Sequence, residues 1–349
     1  MNNLIEKVEY TIRKNNLIEK GDKVVLAVSG GPDSICMLDV ISKILKVVNT
    51  NPEPTDKVVN LNPEPADNQI VVAHVNHMIR EEACEDERFV KDFCQKIGVE
   101  FYSKSIDVQK IANNNKIGLE EAGRMARYEF FDEVANLTNS NKIAIAHNKN
   151  DNVETIIMHA LRGSGTYGLQ GIQAKNGKYI RPLIDCERAE IEEYCKENNI
   201  NARIDKTNFE NVYTRNKIRN VVIPYIKKEF NPNIIETICR LSNVIIDQDC
   251  YIEKKVEEAY ESMVLQENEN EIVLDLKKFN IQEKVIKSRL VLYTIIRLFG
   301  TSKGIEKIHI EDIIKLCQKN IGNKYLTPNK ATKVFVKSGQ VKFIKKLSI

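Results

Sequence analysis

Short runs of consecutive apolar residues alternate with stretches where apolar positions recur every three or four residues. KVVLAV (23–28), QIVVAHV (69–75) and KIAIAH (142–147) are runs of the first kind. Their length and lack of alternation predict strands buried on both faces. Between them, Ile35, Leu38, Ile41, Leu45 and Val48 keep helical spacing, and further helices are expected over 2–19, 82–97 and 119–138. With VEFYSKS (99–105) as another strand, the order predicts parallel strands joined by crossover helices, a doubly wound α/β fold with a mainly parallel sheet. From about residue 217 the alternation is lost. A mainly helical C-terminal region is expected there, ending in a β-hairpin around Ser338-Gly339. The expected division is 1–215 and 216–349.

One segment breaks the pattern. VVNTNPEPTDK (47–57) is followed at once by VVNLNPEPADN (58–68), identical at eight of eleven positions. With four prolines and few apolar side chains, this duplicated insertion reads as a surface loop.

Composition narrows the class. At 42% hydrophobic and 29% charged residues the chain is an ordinary globular protein. No apolar run approaches the roughly 18 residues of a membrane span, and MNNLIEKVEY lacks the order of a signal peptide, so a cytoplasmic location without membrane contact is expected. Eight cysteines form no CxxC pair, which disfavours a zinc ribbon or a cysteine-held cluster. The net charge is only +3, but Tyr213 to Phe230 gathers Arg215, Lys217, Arg219, Lys227 and Lys228 against Glu229. Such a stretch is either a solvated helix face or a nucleic-acid contact.

The polar junctions SGGPDS (29–34), HVNHMIR (74–80) and AHNKNDN (146–152) all follow predicted strands, on the edge of a parallel sheet where ligands bind. In SGGPDS, glycines let backbone N–H groups approach an anion, and a helix beginning at Ser34 would add its dipole. Neither GxxxxGK[ST] nor GxGxxG is present. Asp33 inside such a loop makes sense as a Mg²⁺ ligand beside phosphate.

SGGPDS resembles the SGGxDS pyrophosphate loop, or PP-loop, of the N-type ATP pyrophosphatases. Within that group residues 20–232 are similar to the tRNA(Ile)-lysidine synthetase family. HVNHMIR, the block of Glu121, Arg124, Arg127 and Tyr128, AHNKNDNVETIIMHALRGSGTYGLQG, IRPLI and DKTNFENVYTRNKIRNVVIP follow in the family's order. Gly123 stands where small alanines are usual, and Asn148 where the family often has a second His or an Asp. The resemblance implies an adenine nucleotide alpha hydrolase-like fold. It also implies ATP-dependent joining of free L-lysine to carbon 2 of the wobble cytidine in tRNA(Ile) with a CAU anticodon, through an adenylated cytidine. A tRNA thiolase with the same loop is the rival.

The residue roles follow from chemistry and resemblance together. Ser29, Gly30, Gly31, Pro32, Asp33 and Ser34 are expected to bind ATP, with His74 and Arg124 at its edge and Asp33 on Mg²⁺. His74 and His77 flank Asn76, and each is either a nucleotide contact or a structural histidine. Arg124 and Arg127, three apart on a helix, suit phosphate or RNA backbone. His147, Asp151 and Glu154 would share a helix face if that helix starts near 150, as a metal triad or otherwise. The resemblance favours Asp151 and Glu154 as acceptors for the amino groups of lysine. Arg162, before Gly163-Ser164-Gly165, would stabilise charge on the leaving AMP or pyrophosphate. Arg215, Lys217 and Arg219 are expected to contact tRNA. A homodimer is compatible with all of this.

Overall fold

The apolar runs form the centre of a six-stranded sheet in a computed structural model that describes residues 3–50, 70–76, 83–200, 202, 214–302, 304–319, 325–329 and 331–346. In chain order the first part comprises α1 (Asn3–Lys14), β1 (Val24–Ala27), α2 (Pro32–Thr50), β2 (Ile70–Asn76), α3 (Ala83–Ile97) and β3 (Glu100–Ser105). It continues through α4 (Val108–Asn115), α5 (Leu119–Leu137), β4 (Lys142–Ile145), α6 (Lys149–Leu161), α7 (Thr166–Leu169), β5 (Lys175–Asn176), β6 (Tyr179–Ile180) and α8 (Arg188–Glu197). Strand order is β3-β2-β1-β4-β6-β5, parallel except for the β5–β6 pair.

Every residue of β1 and β2 is buried, because helices cover both faces. Val24, Leu26 and Val72 face one core with Leu4, Val8, Met37, Ile41, Val90 and Ile191 from α1, α2, α3 and α8. Val25, Val71 and Ile143 face the other with Phe130, Phe131 and Val134 of α5. Period-2 alternation therefore sends one apolar run into two cores, and each fully buried aliphatic side chain contributes about 1.5–3 kcal/mol. The chain turns outward in opposite directions from β1 and β4, which places the switch point of the sheet between their carboxyl ends.

Two boundaries differ from expectation. α2 begins at Pro32, not Ser34, since proline carries a helical φ and lacks the N–H a first-turn residue cannot use. Val47–Thr50 closes α2, so the duplicated insertion does not begin as a loop; its remainder lies outside the described residues.

After α8 come α9 (Thr214–Lys217), a π-helical turn (Ile218–Val222), α10 (Ile223–Glu229) and α11 (Ile234–Met263). The chain divides into units Met1–Asn243 and Val244–Ile349, well beyond the expected boundary at 215. Packing explains the shift: Ile218, Ile223 and Ile235 form a core with Val153 of α6, which fastens this segment to the first unit.

The second unit adds β7 (Val264–Glu267), β8 (Glu271–Asp275), α12 (Leu276–Asn280), α13 (Lys284–Phe299), α14 (Lys307–Lys319), β9 (Tyr325–Leu326), β10 (Thr332–Lys337) and β11 (Gln340–Lys345). The expected hairpin is β10–β11, turning through Ser338 (φ 51°) and Gly339 (φ 74°), the left-handed pair that a two-residue turn requires. It belongs to a five-stranded antiparallel sheet ordered β7-β8-β11-β10-β9. Leu274, Val334, Val341 and Phe343 pack there against Leu290, Val291 and Ile295 of α13 and Ile313 of α14.

Candidate active site

The turn after β1 is built around one hydroxyl. Ser34 Oγ accepts from the N–H groups of Ser29 (3.1 Å) and Gly30 (3.2 Å) and donates to the carbonyl of Gly31 (2.9 Å). Gly30 takes φ +94°; a Cβ there would meet nothing nearer than 3.6 Å, so conformation rather than space demands glycine. Among the described residues the N–H groups of Gly31 and Asp33 take no protein partner. Two donors at the start of α2 are thus available to anionic oxygen. Behind the loop, buried His74 donates from Nδ1 to the carbonyl of Val28 (2.9 Å), and burial pushes its pKa down. His74 therefore braces the residue that precedes the loop. His77 lies outside the described residues.

The turn after β4 meets this loop. Asn148, fully buried, caps α6: its Oδ1 accepts from the N–H of Asp151 (2.9 Å), while its own N–H donates to Asp151 Oδ2 (3.1 Å). Its Nδ2 donates to Asp33 Oδ1 (3.1 Å). Burial first, and then the Asp151 charge, push the Asp33 carboxyl up to about 6.

Asp151 and Glu154, both buried, are gripped by arginines from three directions. Arg219 approaches Glu154 from Nε (2.6 Å) and Asp151 from Nη2 (3.0 Å). Arg215 Nε lies 2.9 Å from Glu154, and Arg188 Nη2 lies 3.5 Å from Asp151. Arg215 and Arg219, a helical turn apart, thus spend their guanidinium groups on the acids expected to bind lysine. Lys217 is exposed.

A second cationic group surrounds His147. Arg181, nearly buried, donates from Nε to His147 Nδ1 (3.3 Å) and from Nη1 to the carbonyl of Gln173 (2.8 Å). Burial and the charges of Arg181, Arg215, Arg124 and Arg127 hold the His147 pKa down at about 3, so its imidazole is neutral at physiological pH. Arg124 stands 5.1 Å over the ring of Tyr128. His147 precedes the cap of α6 and does not share its face with Asp151 and Glu154. Among the described residues no three His, Cys, Asp or Glu side chains are placed to hold a metal, which removes the triad reading. A Mg²⁺ ion carried by a nucleotide needs only one or two carboxylates. Asp33, whose ionisation is opposed by its surroundings, fits that need.

Arg162 is not brought to this cluster. It is the exposed C-cap of α6, whose thirteen residues set it roughly 20 Å along the axis from Asn148. Arg181 and Arg188, central to the geometry, escaped the sequence reading. Arg181 stood within IRPLI without an assigned role, and Arg188 begins α8 with no motif around it.

The sheet order, the glycine turn after β1 and the polar cluster after β4 define a PP-loop nucleotide-binding domain. The family model described as PP-loop domain matches residues 3–226. Two curated proteins named tRNA(Ile)-lysidine synthase, from Clostridioides difficile (strain 630) and Clostridium acetobutylicum, are each 42% identical to the chain. Each alignment covers 93% of this chain and 67% of the relative. A solved U34-tRNA thiolase from Methanococcus maripaludis shares the fold, with a TM-score of 0.53 and 17% identity over 70% of this chain and 80% of that one. The chain belongs to the tRNA(Ile)-lysidine synthase family, and it spans about two thirds of the length of these two relatives. No helix among the described residues is long and apolar enough to cross a membrane.

Proposed function

We propose that this chain is an ATP-dependent ligase that joins free L-lysine to carbon 2 of the wobble cytidine in tRNA(Ile) carrying a CAU anticodon. One observation carries the reading: an anion-binding loop after β1 and a cluster of carboxylates and arginines after β4 meet at the switch point of the sheet. The phosphates of ATP lie on Ser29–Ser34, whose N–H groups and helix dipole favour them. Asp33 would hold a Mg²⁺ ion carried by the nucleotide, and the ion would supply charge neutralisation there. His74 fixes the loop from behind. Arg124, Arg127 and Arg181 around His147 offer paired donors to anionic oxygen.

The cytidine O2 attacks the α-phosphorus as the bond to pyrophosphate breaks. An amino group of lysine then attacks carbon 2, loses a proton, and expels AMP. Free lysine carries a carboxylate as well as ammonium groups. A cluster of both signs suits it: Asp151 and Glu154 accept from an amino group, and Arg188, Arg215 and Arg219 face the carboxylate. Lys217 and the exposed basic residues of α10 contact the tRNA backbone, where phosphates supply most non-specific affinity. Arg162, at the other end of α6, serves the leaving group only if α6 or its substrate moves. The sequence also carries no CxxC pair of the kind a thiolase uses to hold sulfur.

The test incubates the protein with ATP, Mg²⁺, CAU-anticodon tRNA and radiolabelled lysine. Label on the wobble cytidine and lysine-dependent AMP release are expected. No label, with a thiolated base formed from a sulfur donor, would replace this reading with the thiolase.

A further inference from the structure

We infer that Asn148 is a positioning residue for Asp33, holding that carboxylate against the ATP phosphates across the gap between two helices. The inference rests on the reading of SGGPDS as the ATP loop.

The carboxamide of Asn148 has no freedom to turn over. Its Oδ1 must accept, because it faces the N–H of Asp151 at 2.9 Å, so Nδ2 is the group that meets Asp33 at 3.1 Å. The backbone on either side is fixed as well: the N–H donates to Asp151 Oδ2, and the carbonyl accepts from the N–H of Asn152 at 3.1 Å. No part of the residue reaches solvent. The hydrogen bond from Nδ2 is the one that the Asp33 carboxylate accepts among the described residues.

The loop itself therefore does not orient this carboxylate. Ser34 knits the backbone of the turn, whereas the aspartate side chain is set by the first turn of α6. Asp33 also lies close enough to Asp151 for their charges to oppose each other. Left alone, it would swing away from α6 toward water. An amide suits the position because it accepts on one side, to cap a helix, and donates on the other, to a carboxylate. Serine would serve the cap, but its shorter side chain stops short of Asp33. Histidine, with one ring nitrogen accepting and the other donating, keeps both contacts.

A double-mutant cycle on the full chain tests this. ATP affinity is measured by calorimetry in Mg²⁺ without tRNA, for wild type, Asn148→Ser, Asp33→Asn and the pair. A hydrogen bond to a charged group suggests that Asn148→Ser weakens ATP roughly ten- to a hundredfold, and that the loss largely vanishes when Asp33 is already Asn. Affinity for tRNA and the thermal midpoint should move little, since serine keeps the cap. Asn148→His should recover most of the loss. Should Asn148→Ser fold poorly, Asn148→Thr, which also keeps the cap and is too short to reach Asp33, is expected to weaken ATP as much. Equal losses in both Asp33 backgrounds, or no loss, would overturn the inference. A wild-type protein that binds no ATP would instead remove the reading of the loop.

Discussion

Replacing Asp33 with asparagine should stabilise the free protein while abolishing its use of ATP. The carboxyl titrates near 6 in the fold against 3.8 ordinarily, because burial and Asp151 oppose its charge. The folded state therefore holds its proton more tightly, and stability falls as pH rises through that window and stays reduced above it. The penalty works out at about 1 kcal/mol at pH 4.5 and about 3 kcal/mol from pH 7 upward. Asparagine stays neutral and keeps an oxygen for Nδ2 of Asn148, so it removes the penalty. In a unit of this size each kcal/mol moves the melting temperature by roughly 2–4 °C. The variant's advantage over wild type should then grow by about 4–8 °C between pH 4.5 and pH 8. Differential scanning calorimetry without nucleotide or Mg²⁺ reads it, and a parallel assay should find no pyrophosphate release. A difference that stays constant with pH, or a variant less stable at pH 8, would refute the electrostatic account. Normal pyrophosphate release would refute the role in catalysis.

Glu154→Ala leaves Arg215 and Arg219 facing a buried void, so urea unfolding of the first unit should show a loss of about 3–5 kcal/mol; below 1 kcal/mol the cluster is not holding that segment. In the weaker variant Glu154→Gln, adenylated tRNA should still form while the lysine requirement rises roughly ten- to a hundredfold. His147 should show no titration between pH 5 and 9 in histidine-labelled NMR spectra, given a pKa of about 3. Because its unfolded form takes up a proton first, it lowers stability as pH falls from about 6.5 toward 3, and a midpoint near 6.5 would contradict its buried, arginine-lined setting. Deleting one copy of the repeat, residues 58–68, should leave lysidine formation within a few-fold, and a collapse of soluble expression would show that the repeat packs or binds.

The sheet was legible because strands covered on both faces read as unbroken apolar runs, and the loop because glycine, proline and an acid at a strand end have few other uses. Less of the second unit could be read. β7 is an exposed strand of Val264, Leu265, Gln266 and Glu267, which carries neither an apolar run nor alternation. The first compact unit runs past residue 215 because the apolar spacing of Ile218 and Ile223 does not say which core they join. Only their contact with Val153 decides it. In the site, Asp151 and Glu154 stood out through the family resemblance, since their helical spacing alone fits many roles. Arg181, Arg188, Arg215 and Arg219 converge on the site from separate elements, a relation that no spacing along the chain encodes. Asn148 looked like a departure from the family, and its double contact explains why an amide stands there.

The strand order of the second sheet has a consequence for synthesis. β11, the latest of its strands to leave the ribosome, lies between β8 and β10 and makes two of the sheet's four pairings. Until Gln340–Lys345 has emerged, β7–β8 and β9–β10 are two separate ribbons, each with an unpaired edge where β11 will lie. A nascent chain stalled before Gln340, or one clipped there by a protease, therefore displays two half-sheets whose facing edges await a strand. The nucleotide-binding sheet suffers no such delay, because its strands are complete by Ile180.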